Sequence, residues 1–228
     1  MLKRVLLLMA LVLPLPVLAQ ARWLEGKHYI TLQGSHPAET RPGKVEVAEV
    51  FSYGCIYCYR AQAEAAKLKA ALPADAYMTY VHAAFAPGEA WPMYQRAYYT
   101  AVSMGIAEAN HHDMFSAVWE TDEVPLMDKK SNRVRNPLPT IQEAARFYAR
   151  VGKVKEADFI KTSTSFSVET QIQRANQLIA SWRAGSTPSI VVNGRYLVNN
   201  EVVTNWDDIR NIVSFLITQE RQRVKAAH

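Results

Sequence analysis

The 228-residue chain has no cysteine besides Cys55 and Cys58. That scarcity excludes a framework of spaced disulfides. The sole possible bridge closes the smallest useful loop and restrains little of the unfolded chain. It also removes half of a four-ligand zinc set, because one C-x-x-C supplies two ligands. His111-His112-Asp113 offers further donors, but adjacent residues on a helix point in different directions. Neither a metal nor a cofactor is therefore expected. Beyond the N-terminus no apolar run is long enough to span a bilayer. No Lys/Arg block interleaved with aromatics is present, so nucleic acid is not an expected partner. With no repeat period and no dedicated dimerisation segment, the expected state is a monomer.

The first residues point to export. Lys3 and Arg4 precede an apolar run from Val5 to Leu18, broken only by Pro14 and Pro16, and Ala19-Gln20-Ala21 fits a small-x-small cleavage site. Residues 1–21 are read as a signal peptide cut after Ala19 or Ala21, and the periplasm as the destination. A cut after Ala21 leaves about 207 residues, enough for one sizeable core or a domain with an insertion. Losing Lys3 and Arg4 lowers the formal net charge from +5 to about +3, a mild surface bias. In a compartment where disulfides persist, a lone adjacent pair serves chemistry better than stability.

Along the mature chain, Tyr29–Leu32 alternates like a short edge strand, and Lys44–Phe51 reads as a buried central strand. Ser52-Tyr53-Gly54 is a turn. Ile56–Leu72 is Ala-rich and helix-favouring and stops at Pro73, and Ala76–Phe85 is a second strand. This is a βαβ unit, which implies parallel strands joined by a right-handed crossover. Helical patterns follow over Ala90–Met104, His111–Glu120, Thr140–Val151, Lys155–Lys161 and Val168–Ala184, with a polar loop over Thr121–Pro139. The third of these opens on a Thr140/Glu143 capping box and ends at Gly152. Trp91, Tyr94, Tyr98 and Trp119 are read as core rather than peptide-binding. Strand character returns at Ser189–Val192. Asn193-Gly194 signals a hairpin to Arg195–Val198, and Asn205 caps a last helix over Trp206–Gln219.

Two cysteines at i and i+3 in a first helical turn face the same way, with Cβ atoms about 5–6 Å apart, and a small adjustment reaches disulfide distance. Cys55 stands where free N–H groups and the positive end of the helix dipole favour a thiolate, so it is expected to be the exposed nucleophile. Cys58, one turn in, is expected to be the shielded resolving sulfur. Glu49, an acid in an otherwise apolar strand, either faces an edge or is buried. If buried, its pKa rises and it can relay a proton to Cys58 through water. Pro188, behind Thr187, stands at a strand entrance.

The run Glu49-Val50-Phe51-Ser52-Tyr53-Gly54-Cys55-Ile56-Tyr57-Cys58-Tyr59, with Gly185-Ser186-Thr187-Pro188-Ser189-Ile190-Val191-Val192-Asn193-Gly194-Arg195-Tyr196, resembles the DsbA family of exported thiol–disulfide oxidoreductases. The resemblance implies an α/β fold, a thioredoxin-like core with an inserted all-helical domain. Residues 22–87 and 161–228 would form the core and 88–160 the insertion. It implies Cys55 as nucleophile, Cys58 as its partner, Glu49 as a buried acid and Pro188 as a cis proline packed against the disulfide. The implied function is to introduce disulfides into newly translocated, unfolded substrate proteins, with reoxidation by a DsbB-type quinone-linked membrane partner. A periplasmic disulfide reductase or isomerase is the alternative enzyme, and a binding module that uses the helical block is the alternative outside enzymes.

Three positions depart from the family pattern. Ile56-Tyr57 stands where Pro-His is common, Tyr80 where a lysine often faces the buried acid, and Thr187 where a valine often precedes the cis proline. A histidine beside the cysteines attracts the thiolate, and Tyr57 offers only a neutral hydroxyl. The potential, measured against glutathione, is expected to be less oxidising than that of Pro-His members by roughly 30 mV per pKa unit of lost thiolate stabilisation. A value at least as oxidising as theirs overturns the expectation.

Overall fold

The computed structural model describes residues 22–226. The expected signal peptide, residues 1–21, lies outside the described residues.

Strand β1 (Tyr29–Thr31) is followed by β2 (Val45–Phe51), helix α1 (Ile56–Ala71) and β3 (Ala76–His82). β2 and β3 pair in parallel, from Val45 opposite Ala76 to Phe51 opposite His82, with α1 as the crossover. The alanines of α1 favour the helix, and the chain leaves it at an extended Leu72 before Pro73. Near the C-terminus β6 (Ser189–Val192) and β7 (Tyr196–Val198) form a hairpin. β6 lies antiparallel on the other side of β2, and β1 closes the edge beyond β7, giving the order β1-β7-β6-β2-β3.

The period-2 alternation of β2 divides two cores. Val47 joins Met78, Ile190 and Val192 beneath the last helix, α7 (Trp206–Ala226), with Ala65 and Leu68 of α1. Ala48 and Val50 join Val81 and Val191 on the other face. That face packs on the helical block of α2 (Trp91–Ser103), α3 (His111–Trp119), α4 (Ile141–Gly152), α5 (Glu156–Ser163) and α6 (Phe166–Ser181). α5 runs across residue 160, where the sequence reading ends the block. The chain turns instead at Thr164-Ser165, between α5 and α6.

Several local expectations need adjusting. β3 ends three residues early, at His82, and α7 runs seven residues past Gln219, to Ala226. The 121–139 loop contains a short hairpin, β4 (Met127–Asp128) with β5 (Arg133–Val134). The Thr140/Glu143 capping box is present, but Gly152 does not terminate α4. It is the last helical residue, and Lys153 takes the left-handed conformation, φ 54°. Gly152 is small for another reason: a Cβ there would lie 2.9 Å from the Ile106 Cδ1. Strand β2 carries two buried acids. Glu46 is enclosed on the face opposite Glu49, accepting hydrogen bonds from the Ala38 and Glu39 N–H groups and the Thr79 hydroxyl at 2.8, 2.7 and 3.0 Å.

The Asn193-Gly194 turn has φ of 51° and 56°. It is tied to the N-terminal loop by the Ser35 hydroxyl, which donates to the Asn193 carbonyl at 2.6 Å, and to α7 through Asn193 Nδ2 and buried Glu220. A Cβ on Gly194 would fall 2.1 Å from the His36 carbonyl carbon, which is backbone and has nowhere to go. Gly194→Ala is expected to lower unfolding free energy by about 2–4 kcal/mol, read by urea denaturation. A loss below about 0.5 kcal/mol, the range of ordinary surface changes, contradicts the close approach.

Candidate active site

The site is built where β2 ends. The chain turns at Ser52-Tyr53-Gly54, and Cys55 N–H closes the turn on the Ser52 carbonyl at 3.1 Å. The Ser52 hydroxyl accepts from Gly54 N–H at 3.1 Å, and buried His82 at the end of β3 accepts Tyr53 N–H on Nε2, also at 3.1 Å. Burial holds the His82 imidazole down at about 3, so it is the neutral form that this acceptor role needs. Gly54 is required by packing: a Cβ would lie 2.8 Å from the Trp91 indole.

Cys55 is the N-cap of α1, extended at φ −94°, ψ 114°, and its sulfur accepts the Cys58 N–H at 3.4 Å. An N-cap side chain ordinarily supplies an oxygen acceptor to the helix's unsatisfied N–H groups, and here sulfur does so. Thr187-Pro188 is a cis peptide bond beside it, and the Cys55 thiol donates to the Thr187 carbonyl at 3.4 Å. The expectation of an exposed nucleophile is corrected. Cys55 is only 6% exposed, against 1% for Cys58, because the loop before β6 lies against its sulfur. Both sulfurs are free thiols. Of the residues between them, Ile56 is half-buried and Tyr57 is 66% exposed.

The two sulfurs are driven apart electrostatically. Hydrogen bonding from the Cys58 thiol is the largest cause that lowers the Cys55 pKa to about 6. The Thr187 side chain and the Cys58 and Tyr57 N–H groups add to it, and burial opposes. Burial first pushes Cys58 well up, reinforced by its bond to Cys55 and by the Cys55 and Glu49 charges.

Glu49 is buried, on the α1 side of the sheet, opposite Tyr80 in β3 and Ile190 in β6. Burial, and then the charge on Cys55, raise its carboxyl to about 8. Glu49 and Cys58 share the wall of a cleft of ≈710 Å³ between α1, β3 and α3, together with Lys69, Tyr80, His111 and Phe115. No lysine faces the acid from β3. Lys69 of α1 instead reaches over the Tyr80 ring, Nζ 5.8 Å from its centroid, and pairs with Glu108 at 2.5 Å.

Sequence reasoning missed His82 and Glu46. Tyr94 and Tyr98 are core, as read, and Trp91 and Trp119, half-buried, pack against the same core and on the turn before Cys55. Strand parity could have found Glu46, since Glu46 and Glu49 are an odd number apart and must face opposite sides.

No family model matches the chain. It is 30% identical to the thiol:disulfide interchange protein DsbA of Pseudomonas aeruginosa, over 88% of this chain and 87% of that one. It is 31% identical to the protein of the same name from Azotobacter vinelandii, over 86% and 84%. The crystal structure of oxidoreductase DsbA from Xylella fastidiosa superposes with a TM-score of 0.74 at 32% identity, covering 86% of this chain and 97% of that one.

The pKa split is directly measurable. In the reduced protein, thiolate absorbance at 240 nm is expected to rise in one step near pH 6, with Cys58 still a thiol at neutral pH. Cys58→Ala removes the strongest donor and is expected to raise the midpoint by about one unit. A wild-type midpoint in the ordinary thiol range overturns the assignment.

Proposed function

The chain belongs to the DsbA family of thiol–disulfide oxidoreductases, and from that we propose that Cys55 and Cys58 are the redox pair through which it introduces disulfide bonds into newly translocated proteins. The observation that carries the reading is the sulfur of Cys55 at the N-cap of α1, accepting the Cys58 N–H beside the cis Thr187-Pro188 bond, in surroundings that lower its pKa and raise that of Cys58.

In the oxidised enzyme a substrate thiolate attacks the Cys55 sulfur. The Cys55–Cys58 bond breaks, a mixed disulfide forms on Cys55, and Cys58 leaves with the electron pair. Cys58 holds its proton tightly, so a thiolate there is a strong base. Glu49, still protonated at neutral pH, supplies the proton through the shared cleft and is reprotonated from solvent. A second substrate thiolate then attacks the substrate sulfur of the mixed disulfide. The substrate leaves oxidised, and Cys55 departs as the stabler thiolate. Two electrons have moved from the substrate dithiol to the enzyme pair.

Thr187, joined to Pro188 by a cis peptide bond, borders the Cys55 sulfur, and exposed Tyr57 and half-buried Ile56 stand between the two cysteines. An extended, unfolded segment of exported protein is the occupant we assign to that face. Reoxidation falls to a DsbB-type quinone-linked membrane partner, and the compartment is the periplasm, reached by cleavage of residues 1–21. We further propose that the helices beginning after residue 87 act as an inserted helical domain on the core, with its far boundary at the Thr164-Ser165 turn rather than at 160. The relatives' names and the stabilised Cys55 thiolate support an oxidase over a reductase or isomerase.

Three results test this together. Oxidised protein is expected to transfer its disulfide to a reduced model dithiol peptide. Cys55→Ser is expected to abolish transfer, and Cys58→Ala, incubated with the oxidised form of the peptide, to hold a mixed disulfide on Cys55 because no second thiol is present to resolve it. In growing cells the wild-type pair is expected to be mostly disulfide. A mostly dithiol pair, with strong reactivation of scrambled ribonuclease without added oxidant, would move the assignment to reductase or isomerase.

A further inference from the structure

Both cysteines lie between two tyrosines, Tyr53 two residues before Cys55 and Tyr59 one residue after Cys58. Tyr53 is completely buried, and each of its polar atoms is held by another element. His82 of β3 takes its N–H, the Trp119 indole N–H donates to its carbonyl at 2.9 Å, and its hydroxyl is hydrogen-bonded to His111 Nδ1 at 3.1 Å. The last two partners stand at opposite ends of α3. Tyr59, on the other side of the pair, stacks on the same Trp119 ring, with centroids 6.1 Å apart and planes at 26°. Its hydroxyl donates to Glu120, the residue after Trp119.

One side chain of the helical block therefore touches both flanks of the redox segment. This matters because of what lies between. Gly54 separates Tyr53 from Cys55, and glycine gives a turn the most backbone freedom to lose. The donors that stabilise the Cys55 thiolate act at long range: the Cys58 N–H is 3.4 Å from the sulfur, where a few tenths of an ångström change the interaction. Fixing the Tyr53 carbonyl fixes the plane of the peptide that leads into Gly54. Fixing Tyr59 holds the start of α1 in place.

We propose that Trp119 is a positioning residue for the redox reaction: with His111 and Glu120 it makes α3 a brace that grips Tyr53 and Tyr59 and so holds the Cys55 sulfur in register with its hydrogen-bond donors. The inference rests on Cys55 being the nucleophile. It gives the helical block a part in the chemistry of the core beyond covering one face of the sheet.

Trp119→Phe keeps a ring for Tyr59 and removes the N–H to Tyr53 together with part of the indole's packing. The expected result is a rise of about half to one unit in the Cys55 midpoint at 240 nm, and a fall of about three- to tenfold in the equilibrium constant for oxidation of glutathione. Tyr59→Phe, which removes the hydroxyl bond to Glu120 and leaves the stack, is expected to shift both in the same direction by less. A folded Trp119→Phe protein with both values unchanged overturns the brace, and so does a lower melting temperature with both unchanged, which is a packing effect alone. If Trp119→Phe is too unstable to titrate, Tyr59→Phe and Glu120→Gln decide in the same way: a shifted midpoint supports the brace and two unshifted ones overturn it. Failure of the underlying reading looks different, because wild-type protein would then show no low-pH thiolate step, or Cys55→Ser would retain it.

Discussion

Everything at this site depends on a sulfur standing where a helix wants an acceptor. The first N–H groups of α1 have no partner within the helix, and Cys55 occupies the N-cap to meet them. A thiolate accepts such bonds better than a thiol, so the Cys58 thiol's hydrogen bond does most to ionise the nucleophile and the interaction that starts the helix adds to it. The pKa falls from an ordinary 9.0 to about 6. That depression stabilises the reduced fold by an order of 4 kcal/mol at pH above the unfolded value, and the contribution is lost as pH falls through 6. Set against the disulfide form, the same energy corresponds to roughly 90 mV of oxidising power at that high pH, and to roughly 30 mV near pH 7, where an ordinary thiol is still protonated. The enzyme stores its drive in the reduced state and releases it by accepting electrons.

Two acids in one strand show how burial can be used in two ways. Glu46 is surrounded by donors, and its three hydrogen bonds tie the 38–39 loop to the sheet. Burial still raises its pKa, and those donors act against the rise. Glu49, three residues on and on the other face, is placed beside Cys58 and the cleft and raised to about 8. Its native value lies above the ordinary 4.5. Its contribution to stability is therefore fully present below pH 4.5 and is lost as pH rises toward 8. That loss is tolerated where a proton is needed, since a carboxyl still protonated at neutral pH can meet the base that Cys58 becomes when it leaves.

Much of this was legible in the chain itself. The buried strand, the Gly54 turn, the alanine helix and the Asn193-Gly194 hairpin are local patterns with local causes, and they appeared where their residues indicated. The burial of Cys55 was not legible, because its cover is a loop 132 residues away in sequence. The identity of its supports was hidden for the same reason. His82 reads as one residue inside a strand, and Trp119 as one more core aromatic, until tertiary structure brings both onto Tyr53. Gly152 misled in the opposite direction. A glycine at a helix end suggests a left-handed cap, but the constraint on it came from Ile106, and Lys153 accepted the positive φ.

The dipeptide between the cysteines now takes a narrower role. The groups that lower the Cys55 pKa are the Cys58 thiol, the Thr187 side chain and two backbone N–H groups, and the side chains of Ile56 and Tyr57 are not among them. Most of the thiolate's stability is therefore a property of the frame: an N-cap position, a turn held on its polar atoms, and a loop closing from β6. A histidine at position 57 would add a charge to that frame, and its replacement by tyrosine subtracts only that increment. Tyr57 instead presents an aromatic face, 66% exposed, beside the sulfur that a partner must reach. Aromatic side chains at such a position bury large area at small entropic cost. The substitution exchanges electrostatic drive for contact surface, and the thiolate keeps its main support, which comes from the Cys58 thiol, then Thr187 and the two backbone N–H groups.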